Sequence, residues 1–320
     1  MKLRFVQSTQ TNPHLNVAVE NYLLSLPETD VVTLYLWRNH RTVVVGMNQN
    51  PYAECNVEAL LADGGYVMRR RTGGGAVYHD AGNINFSFVV PKALYDQARQ
   101  FAVLRRAVAS YGLQAEVSGR NDVLCDGRKF SGNAFSKGTH QNLHHGTILI
   151  NGNMDDLQRY LRVKPSKLKK HGIASVQSRV VNLAELAPVT SVNIVPRLVA
   201  AFESEYGSKV EETSFDELCR LPEVQRLYDE FASDAWLFAK WRNFEAQMTQ
   251  QFDWGHVELS LSVDQEHGRI VQVSIASDAL EPDLVREAET LLTGASTVDR
   301  PSTDGLAHAD MLDDILNLIY

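Results

Sequence analysis

Three arginines run almost directly into three glycines at residues 69–75, within the stretch R-R-R-T-G-G-G-A-V-Y-H-D. Glycine lets a backbone turn tightly and lets another molecule approach the main chain. Arginine is a planar, permanently charged donor that grips phosphate or carboxylate through paired hydrogen bonds. The two together read as a loop shaped for an anion. The spacing is not a P-loop, because no Lys-Ser or Lys-Thr follows G-x-x-x-x-G, and it lacks the second half of the dinucleotide fingerprint. Taken alone, the stretch equally fits a glycine-rich hairpin carrying solvated arginines.

The surrounding pattern is that of a mixed sheet with helices. Residues 2–7 read as a strand. Leu15, Ala18, Val19, Tyr22, Leu23 and Leu26 recur at helical spacing between Pro13 and Pro27. The β-branched runs Val31–Trp37 and Thr42–Val45, separated by Arg38-Asn39-His40-Arg41, read as a hairpin. A short helix over 56–63 ends at Gly64-Gly65, and Tyr66–Arg70 is a strand that delivers the arginines. Residues 83–90 alternate polar and apolar, which predicts a half-buried strand. A helix over 92–111 follows, then strands at 114–118, 121–125, 129–135 and 143–150, with a tight Asp126-Gly127 turn. Helices are predicted at 155–161, 164–170, 192–206 and 220–232. Near residue 250 the character changes. Alternating strands at 257–263 and 269–275 precede helices at 281–292 and 309–319. This strand-strand-helix-helix unit implies a boundary at 240–252, with domains at 1–245 and 246–320.

The balance of 320 residues, 44% hydrophobic and 22% charged, is that of an ordinary globular chain. Its net charge of -8 argues against a nucleic-acid binder. No apolar run approaches the ~20 residues of a membrane span, and the N-terminus has no signal-peptide pattern. Cys55, Cys125 and Cys219 are widely spaced, so neither a zinc cage nor a disulfide framework is indicated, and a cytoplasmic setting fits.

Three further stretches carry chemistry. In G-R-N-D-V-L-C-D-G-R-K-F-S-G-N-A-F at 119–135, strict alternation places Lys129, Ser131 and Asn133 on one face. A lysine beside small residues suits a phosphate or an acyl oxygen under attack, although a surface lysine beside a turn gives the same pattern. In H-H-G-T-I-L-I at 144–150, adjacent histidines point to opposite faces and make a poor metal pair; a hydrogen-bonding or packing role is expected. In H-G-I-A-S-V-Q-S-R-V-V-N-L at 171–183, Ser175, Ser178, Arg179 and Asn182 furnish a polar loop able to close over a ligand, or a capped linker.

In this order, and together with P-H-L-N-V-A-V-E at 13–20, L-W-R-N-H-R-T-V-V-V-G at 36–46, Q-N-P-Y-A-E-C-N at 49–56 and W-G-H-V-E-L at 254–259, these stretches resemble the lipoate–protein ligase A family of the biotin/lipoate ligase superfamily. The resemblance implies an α+β (mixed α/β) fold. Its core is a biotin/lipoate-ligase-like, class II synthetase-like sheet with flanking helices, followed by a small C-terminal α/β accessory domain. It implies an ATP-dependent ligase that converts lipoate to lipoyl-AMP and passes the lipoyl group to a lysine of a lipoyl domain. Lys129 falls at the family's essential lysine. Arg70, Gly75, Ala76, Val77, Tyr78, Asn121, Asp122, Ser175, Val176 and Arg179 fall at its ATP and adenylate positions. Leu15, Glu20, Trp37, Arg70, Thr72, Gly74, His79 and Lys129 match positions around lipoate. Mg²⁺ is implied as a companion of ATP, with Asp122 as its ligand. The implied partners are lipoyl domains of 2-oxoacid dehydrogenase E2 subunits and the glycine-cleavage H protein, with no nucleic acid and no membrane, and a monomer is expected. The hairpin at Val123–Arg128 is shorter than in some members.

Two other functions stay open at this level. An octanoyltransferase on the same fold would work through an acyl-cysteine, for which Cys125 is the best candidate, although Leu124 and Asp126 beside it supply neither base nor cation. A silent acyl-adenylate-binding subunit would keep the pocket and lose the chemistry. Arg159, Arg162, Lys164, Lys167, Lys169 and Lys170 form a basic run that either steers an acidic acceptor or is a solvated helix face.

Overall fold

The computed structural model describes residues 1–119, 121–162, 180–238, 246–264 and 267–320. The predicted helix over 164–170 and most of the 171–183 loop lie outside the described residues.

The large sheet is built from β1 (Lys2–Gln7), β2 (Val31–Trp37), β6 (Asn83–Pro91), β7 (Ala115–Ser118), β8 (Asp122–Cys125), β9 (Arg128–Lys137), β10 (Gln141–Leu149) and β11 (Val210–Glu212). Their order is β11-β1-β2-β6-β10-β9-β8-β7. The pairs β11/β1 and β1/β2 are parallel and the rest antiparallel. A second sheet sets β3 (Thr42–Val45) between β4 (Tyr66–Arg69) and β5 (Val77–His79). The predicted hairpin of β2 with β3 therefore does not form. Each strand finds its partners in a different sheet, and Arg38–Arg41 bridge the two. Both runs are mostly apolar and almost wholly buried, so pairing them only with each other would have left an edge of each open.

Both faces of the large sheet are covered. Leu34, Leu36, Phe86, Phe88, Phe130 and Ile148 face the helices Gln97–Ala109 and Ile194–Tyr206, which contribute Phe101, Leu104, Leu198 and Phe202. Each such side chain contributes roughly 1.5–3 kcal/mol on leaving water. Tyr35, Trp37, Val89 and Leu143 face the helices Pro13–Ser25 and Pro222–Ala232 on the other side. The strand β6, expected to be half-buried, is buried at every position. Its alternating polar residues are met by internal partners in place of solvent: Asn83 donates to Asn85, Ser87 bonds Glu20 and Trp37, and Asn85 borders a cavity. The predicted helix over 92–111 is a single 3-10 turn at Lys92–Leu94 and a separate helix Gln97–Ala109, whose N-cap Asp96 accepts from Ala98 N and Arg99 N.

The hairpin β8–β9 turns at Asp126 and Gly127, both with positive φ (53° and 69°), the geometry of a tight type I′ turn. The pairing then slips: Leu124 opposes Lys129, but Val123 opposes Ser131. Phe130 is the extra residue of a bulge and packs into the core. The bulge overturns the predicted grouping of Lys129 with Ser131 and Asn133. Lys129 instead shares the face of Gly132, with its Cε and Nζ each 3.0 Å from where a Cβ on Gly132 would sit.

The C-terminal unit has its own core around Val257, Leu259, Ile275, Leu284 and Ile315. Among its described residues it contains three strands, where two were expected: β12 (Ala246–Phe252), β13 (Gly255–Asp264) and β14 (Arg269–Ser277), all antiparallel. The unit touches the rest of the chain through backbone bonds from Ser277 N to Asn48 O (2.9 Å) and from Gly74 N to Ala279 O (2.8 Å). Asn48 Nδ2 also donates to Pro282 O at 3.0 Å.

Arg69 holds this assembly from within. Its guanidinium donates to Gly46 O, Met47 O, Gln49 O, Trp236 O and Leu237 O, tying three segments far apart in sequence. Arg69→Ala should leave several buried carbonyls unpaired and destabilise the chain by about 3 kcal/mol or more. Arg69→Lys should recover little, since an ammonium cannot reproduce the planar fork. Urea denaturation midpoints of both variants measure this.

Candidate functional site

The three adjacent arginines take three different roles, which corrects the reading of them as one anion-gripping cluster. Arg69 is the structural anchor just described. Arg71 turns outward to Glu230 at 2.6 Å and lies over the rings of Phe231 and Trp236. Arg70 borders the cavity that collects most of the expected residues, and it is itself buried. Its Nε donates to Thr72 Oγ1 (3.0 Å), its Nη2 to Gly73 O (2.7 Å) and Gly75 O (2.9 Å), and its Nη1 to Val44 O (3.3 Å). Burial pulls the guanidinium pKa down to about 10, with Glu20 opposing the shift, so it stays cationic at neutral pH. The glycine loop is thus wrapped around its own arginine. Gly74, at φ +94°, takes a conformation that L side chains rarely adopt.

The cavity holds about 500 Å³. Ten of the expected residues border it: Trp37, Arg70, Gly74, Gly75, Ala76, Val77, His79, Asn121, Asp122 and Lys129. One end is apolar, with Val17, Val44, Met68 and Val77; the other is polar, with Asn121, Asp122 and Lys129. Its floor is a row of side chains that can be followed across the sheet. Trp37 opposes Asn85, and Asn85 opposes Thr147. Thr147 Oγ1 accepts from Gly132 N at 3.1 Å, and Gly132 opposes Asp122. Lys129 Nζ reaches over Gly132 to Asp122 Oδ1 at 2.7 Å. The backbone of Lys129 is held as well, because its carbonyl accepts from Val181 N at 2.9 Å.

Other expected residues stand back from the cavity. Leu15 is packed in the core. Tyr78 turns its ring away toward Tyr160 and donates to Asp156 Oδ2 at 3.3 Å. Glu20 and Thr72 lie one layer behind, joined by His145, one of the two adjacent histidines expected to hydrogen-bond or pack. His145 Nδ1 meets Glu20 Oε1 (2.8 Å), and its Nε2 meets Thr72 Oγ1 (2.8 Å). Glu20 Oε1 also accepts from Ser87 Oγ at 2.5 Å, and Ser87 Oγ in turn accepts from Trp37 Nε1 at 3.0 Å. A continuous buried chain therefore links Arg70 to Trp37. Ser175, Val176 and Arg179 lie outside the described residues.

Asn85 and Thr147 were not singled out in the sequence, and His145 was expected only to hydrogen-bond or pack, which it does at the cavity wall. The alternation of N-I-N-F-S-F and H-H-G-T-I carried the signal, since it assigns them to one face, but the identity of that face required the register. Gln251, Asp253, Trp254, Asp278 and Leu280 of the C-terminal unit also border the cavity. No sequence pattern brings them there. Gly73 is the contact point, because a Cβ on it would lie 2.1 Å from Ala279 O. The adjacent histidines do diverge as expected. His144 enters an aromatic box of Phe86, Phe88, Phe101 and Phe135 and bonds Gln100 and Asn133. Among the described residues no cluster of three His, Cys, Asp or Glu side chains is arranged to hold a metal. Cys125 points into the core, 3% exposed, and burial together with Asp126 pushes its thiol pKa up.

Comparison with known proteins decides the family. The description "Lipoyl protein ligase A/B catalytic domain" matches residues 12–203, and "Bacterial lipoate protein ligase C-terminus" matches residues 242–313. The chain belongs to the lipoate–protein ligase A family. It is similar to the lipoate–protein ligase A of Psychrobacter cryohalolentis, 40% identical over 89% of this chain and 86% of that one. It is also similar to that of Bdellovibrio bacteriovorus, 37% identical over 92% and 88%. Among solved structures, LipL1 of P. falciparum in complex with lipoate superposes with a TM-score of 0.84 at 26% identity, covering 99% of this chain and 98% of that one. The fold class expected from the resemblance is therefore the one observed.

The buried histidines of this family member give its stability a pH signature. Burial lowers the pKa of His14 to about 4, and burial with Arg70 and His145 nearby lowers that of His79 to about 3. His144 is held well below its ordinary value by burial and by His145. Each is neutral when folded, but takes a proton near pH 6.5 when unfolded. Below that pH the unfolded state binds more protons, so stability is full above about pH 6.5 and falls as pH drops toward the folded values, by about 1.4 kcal/mol per pH unit per group. Unfolding at pH 5.5 should therefore take up about three protons. The slope of urea-derived stability between pH 6.5 and 5 measures this, and a flat profile would contradict it.

Proposed function

We propose that this chain activates lipoate with ATP to lipoyl-AMP and then joins the lipoyl group to a lysine of a protein acceptor. One observation carries this reading: a single cavity sets an apolar slot, a glycine loop and the Lys129 amine in line, with the amine at the polar end. The kinship with lipoate–protein ligases A at 37–40% identity supports it.

In the first step a carboxylate oxygen attacks the α-phosphorus of ATP, and pyrophosphate leaves. Two anions must meet, so cations are needed in the site before the reaction. Lys129 supplies a compact charge over Gly132, where no side chain obstructs an acyl carbonyl. Arg70 supplies a second charge from within the loop and fixes the carbonyls of Gly73 and Gly75. A partly dry cavity strengthens both interactions. In the second step an acceptor amine attacks the acyl carbonyl, an amide forms, and AMP leaves.

Mg²⁺ fits this donor set. It is commonly held by one or two carboxylates together with substrate phosphates, and Asp122 provides a carboxylate at the polar end. When bound, the ion would neutralise phosphate charge. The loop through Ser175, Val176 and Arg179 is assigned to the adenylate. This is supported by the return of the chain at Val180 and Val181 onto the backbone of Lys129.

Residues 1–245 are read as the catalytic domain and residues 246–320 as the accessory domain, on the strength of the separate core of the latter. Among the described residues, hydrogen bonds between them are few and centre on Asn48 and Gly74, which suits a unit that shifts to let the acceptor reach the acyl group. The acceptors are taken to be lipoyl domains of 2-oxoacid dehydrogenase E2 subunits and the glycine-cleavage H protein. Steering by the basic run gains no support from Arg159, which pairs with Asp63 at 2.6 Å, and Lys164, Lys167, Lys169 and Lys170 lie outside the described residues. Among the described residues no helix is long and apolar enough to cross a membrane. The free thiols fit a reducing compartment such as the cytoplasm.

Incubation with ATP, Mg²⁺, lipoate and a lipoyl domain, followed by intact mass, should show the acceptor gain one lipoyl group. Lys129→Ala should slow lipoate-dependent ATP–pyrophosphate exchange by roughly 10²–10³. Cys125→Ser should leave it near normal, whereas a transferase working through that thiol would lose activity. Exchange undiminished in Lys129→Ala would remove the basis of the reading.

A further inference from the structure

A strand at the end of a sheet leaves half of its main-chain groups unpaired, and native proteins blunt such edges. This chain blunts several. Glu203 Oε1 accepts from Val210 N on β11 (3.1 Å), and Arg105 Nε donates to Ala115 O on β7 (3.1 Å). On β14, Glu289 Oε1 accepts from Ile275 N (2.8 Å), and Ala295 O accepts from Ile270 N (2.9 Å). The strand β12 differs. It is the terminal strand of its sheet, A-Q-M-T-Q-Q-F, with no charge and no proline, and it pairs with β13 without a bulge.

The register fixes which of its groups face outward. Phe252 opposes Gly255 across the two-residue turn Asp253-Trp254, so Phe252, Gln250 and Met248 bond β13. Gln247, Thr249 and Gln251 then turn their N–H and carbonyl groups away from it. His256 bears out this alternation. It stands opposite Gln251, and its own N–H and carbonyl go to Asp278. Gln247, Thr249 and Gln251 are all exposed, and among the described residues their main-chain groups have no partner.

This open edge ends at the cavity. Gln251, Asp253 and Trp254, at its tip, border the space that holds Lys129, and Asp253 and Asp278 add two carboxylates there. A segment paired along residues 247–251 would lie one strand spacing, about 4.8 Å, from that rim. A lysine side chain reaches roughly 6 Å beyond its own backbone, far enough to carry an amine from such a segment into the cavity. The carboxylates favour an ammonium arriving at that point. The acceptor of an acyl group has to present such an amine.

We propose that the acceptor protein docks by adding an extended segment, its lysine at the end beside Gln251, as a further strand on the open edge of β12. The choice of occupant rests on the ligase reading above. The edge belongs to the C-terminal unit, so a docked segment moves with that unit.

The test follows the main-chain amides of the full-length protein by hydrogen–deuterium exchange, read by mass spectrometry on peptides spanning residues 246–252, with a lipoyl domain as the probe. Saturating lipoyl domain should slow about three amides there, those of Gln247, Thr249 and Gln251. Unchanged exchange at saturation would overturn the proposal. Protection that grows with enzyme concentration, without any lipoyl domain, would assign the edge to a second copy of the chain and overturn it as well. Thr249→Pro gives a kinetic test, because it removes an outward N–H and no bond to β13. Lipoate-dependent ATP–pyrophosphate exchange should stay within about twofold, while the KM for the lipoyl domain in the transfer step rises about tenfold. An unaltered KM in that variant contradicts the docking mode. If Thr249→Pro loses the first step too, the deuterium measurement on the unaltered protein decides. Absence of ATP–pyrophosphate exchange in the unaltered protein would remove the ligase reading, whether or not the lipoyl domain protects the edge.

Discussion

A buried guanidinium cannot leave its donors unpaired, and this requirement shapes the site. Arg70 finds its acceptors in the carbonyls of Val44, Gly73 and Gly75 and in the hydroxyl of Thr72. To supply them, the loop must curl around the side chain that precedes it. A curl that tight over an arginine is open to glycine and costly to larger residues. A Cβ on Gly46 would lie 2.3 Å from Gly74 O, so the facing strand end must be glycine too. The loop, the end of β3 and the cavity mouth are thus one packing solution around one cation.

The second determinant is a single extra residue. Without the bulge at Phe130, Lys129 would point into the core with Val123 and Ser131. The bulge lets Phe130 take that place and turns the amine toward Gly132 and Asp122. An aromatic ring enters the core, where it gains by burial, and the charge reaches the cavity, where it meets a carboxylate. The same economy governs β10. His144 is satisfied inside the core by Gln100 and Asn133, while His145, one residue on, completes the chain from Arg70 to Trp37.

Much of this was legible beforehand. The loop, the lysine strand and the H-H-G-T strand were each marked by residue type and alternation, and their order carried the family. What misled was local symmetry. β2 and β3 look like a hairpin because both are short apolar runs around a polar turn. Their partners were chosen by strands far along the chain, which no window of sequence contains. β6 looks half-exposed because alternation normally separates core from solvent. Here Asn83 and Ser87 are satisfied by buried partners and Asn85 borders a cavity, so the polar face is turned inward. Tyr78 sits within the motif but turns its ring away, because adjacent strand residues point to opposite faces.

By itself, the chain determined the kinds of element, the tight turn at Asp126-Gly127, the anion-suited loop and the amine that faces it, since these depend on residues close in sequence. Only the tertiary structure decided which arginine borders the cavity, which face Lys129 takes, and that Trp254, Asp278 and Leu280 border a site formed mostly by residues more than a hundred positions earlier. Those outcomes depend on register and on packing between distant segments. A shift of one residue reverses every side chain on a strand, and the sequence of that strand reads the same either way.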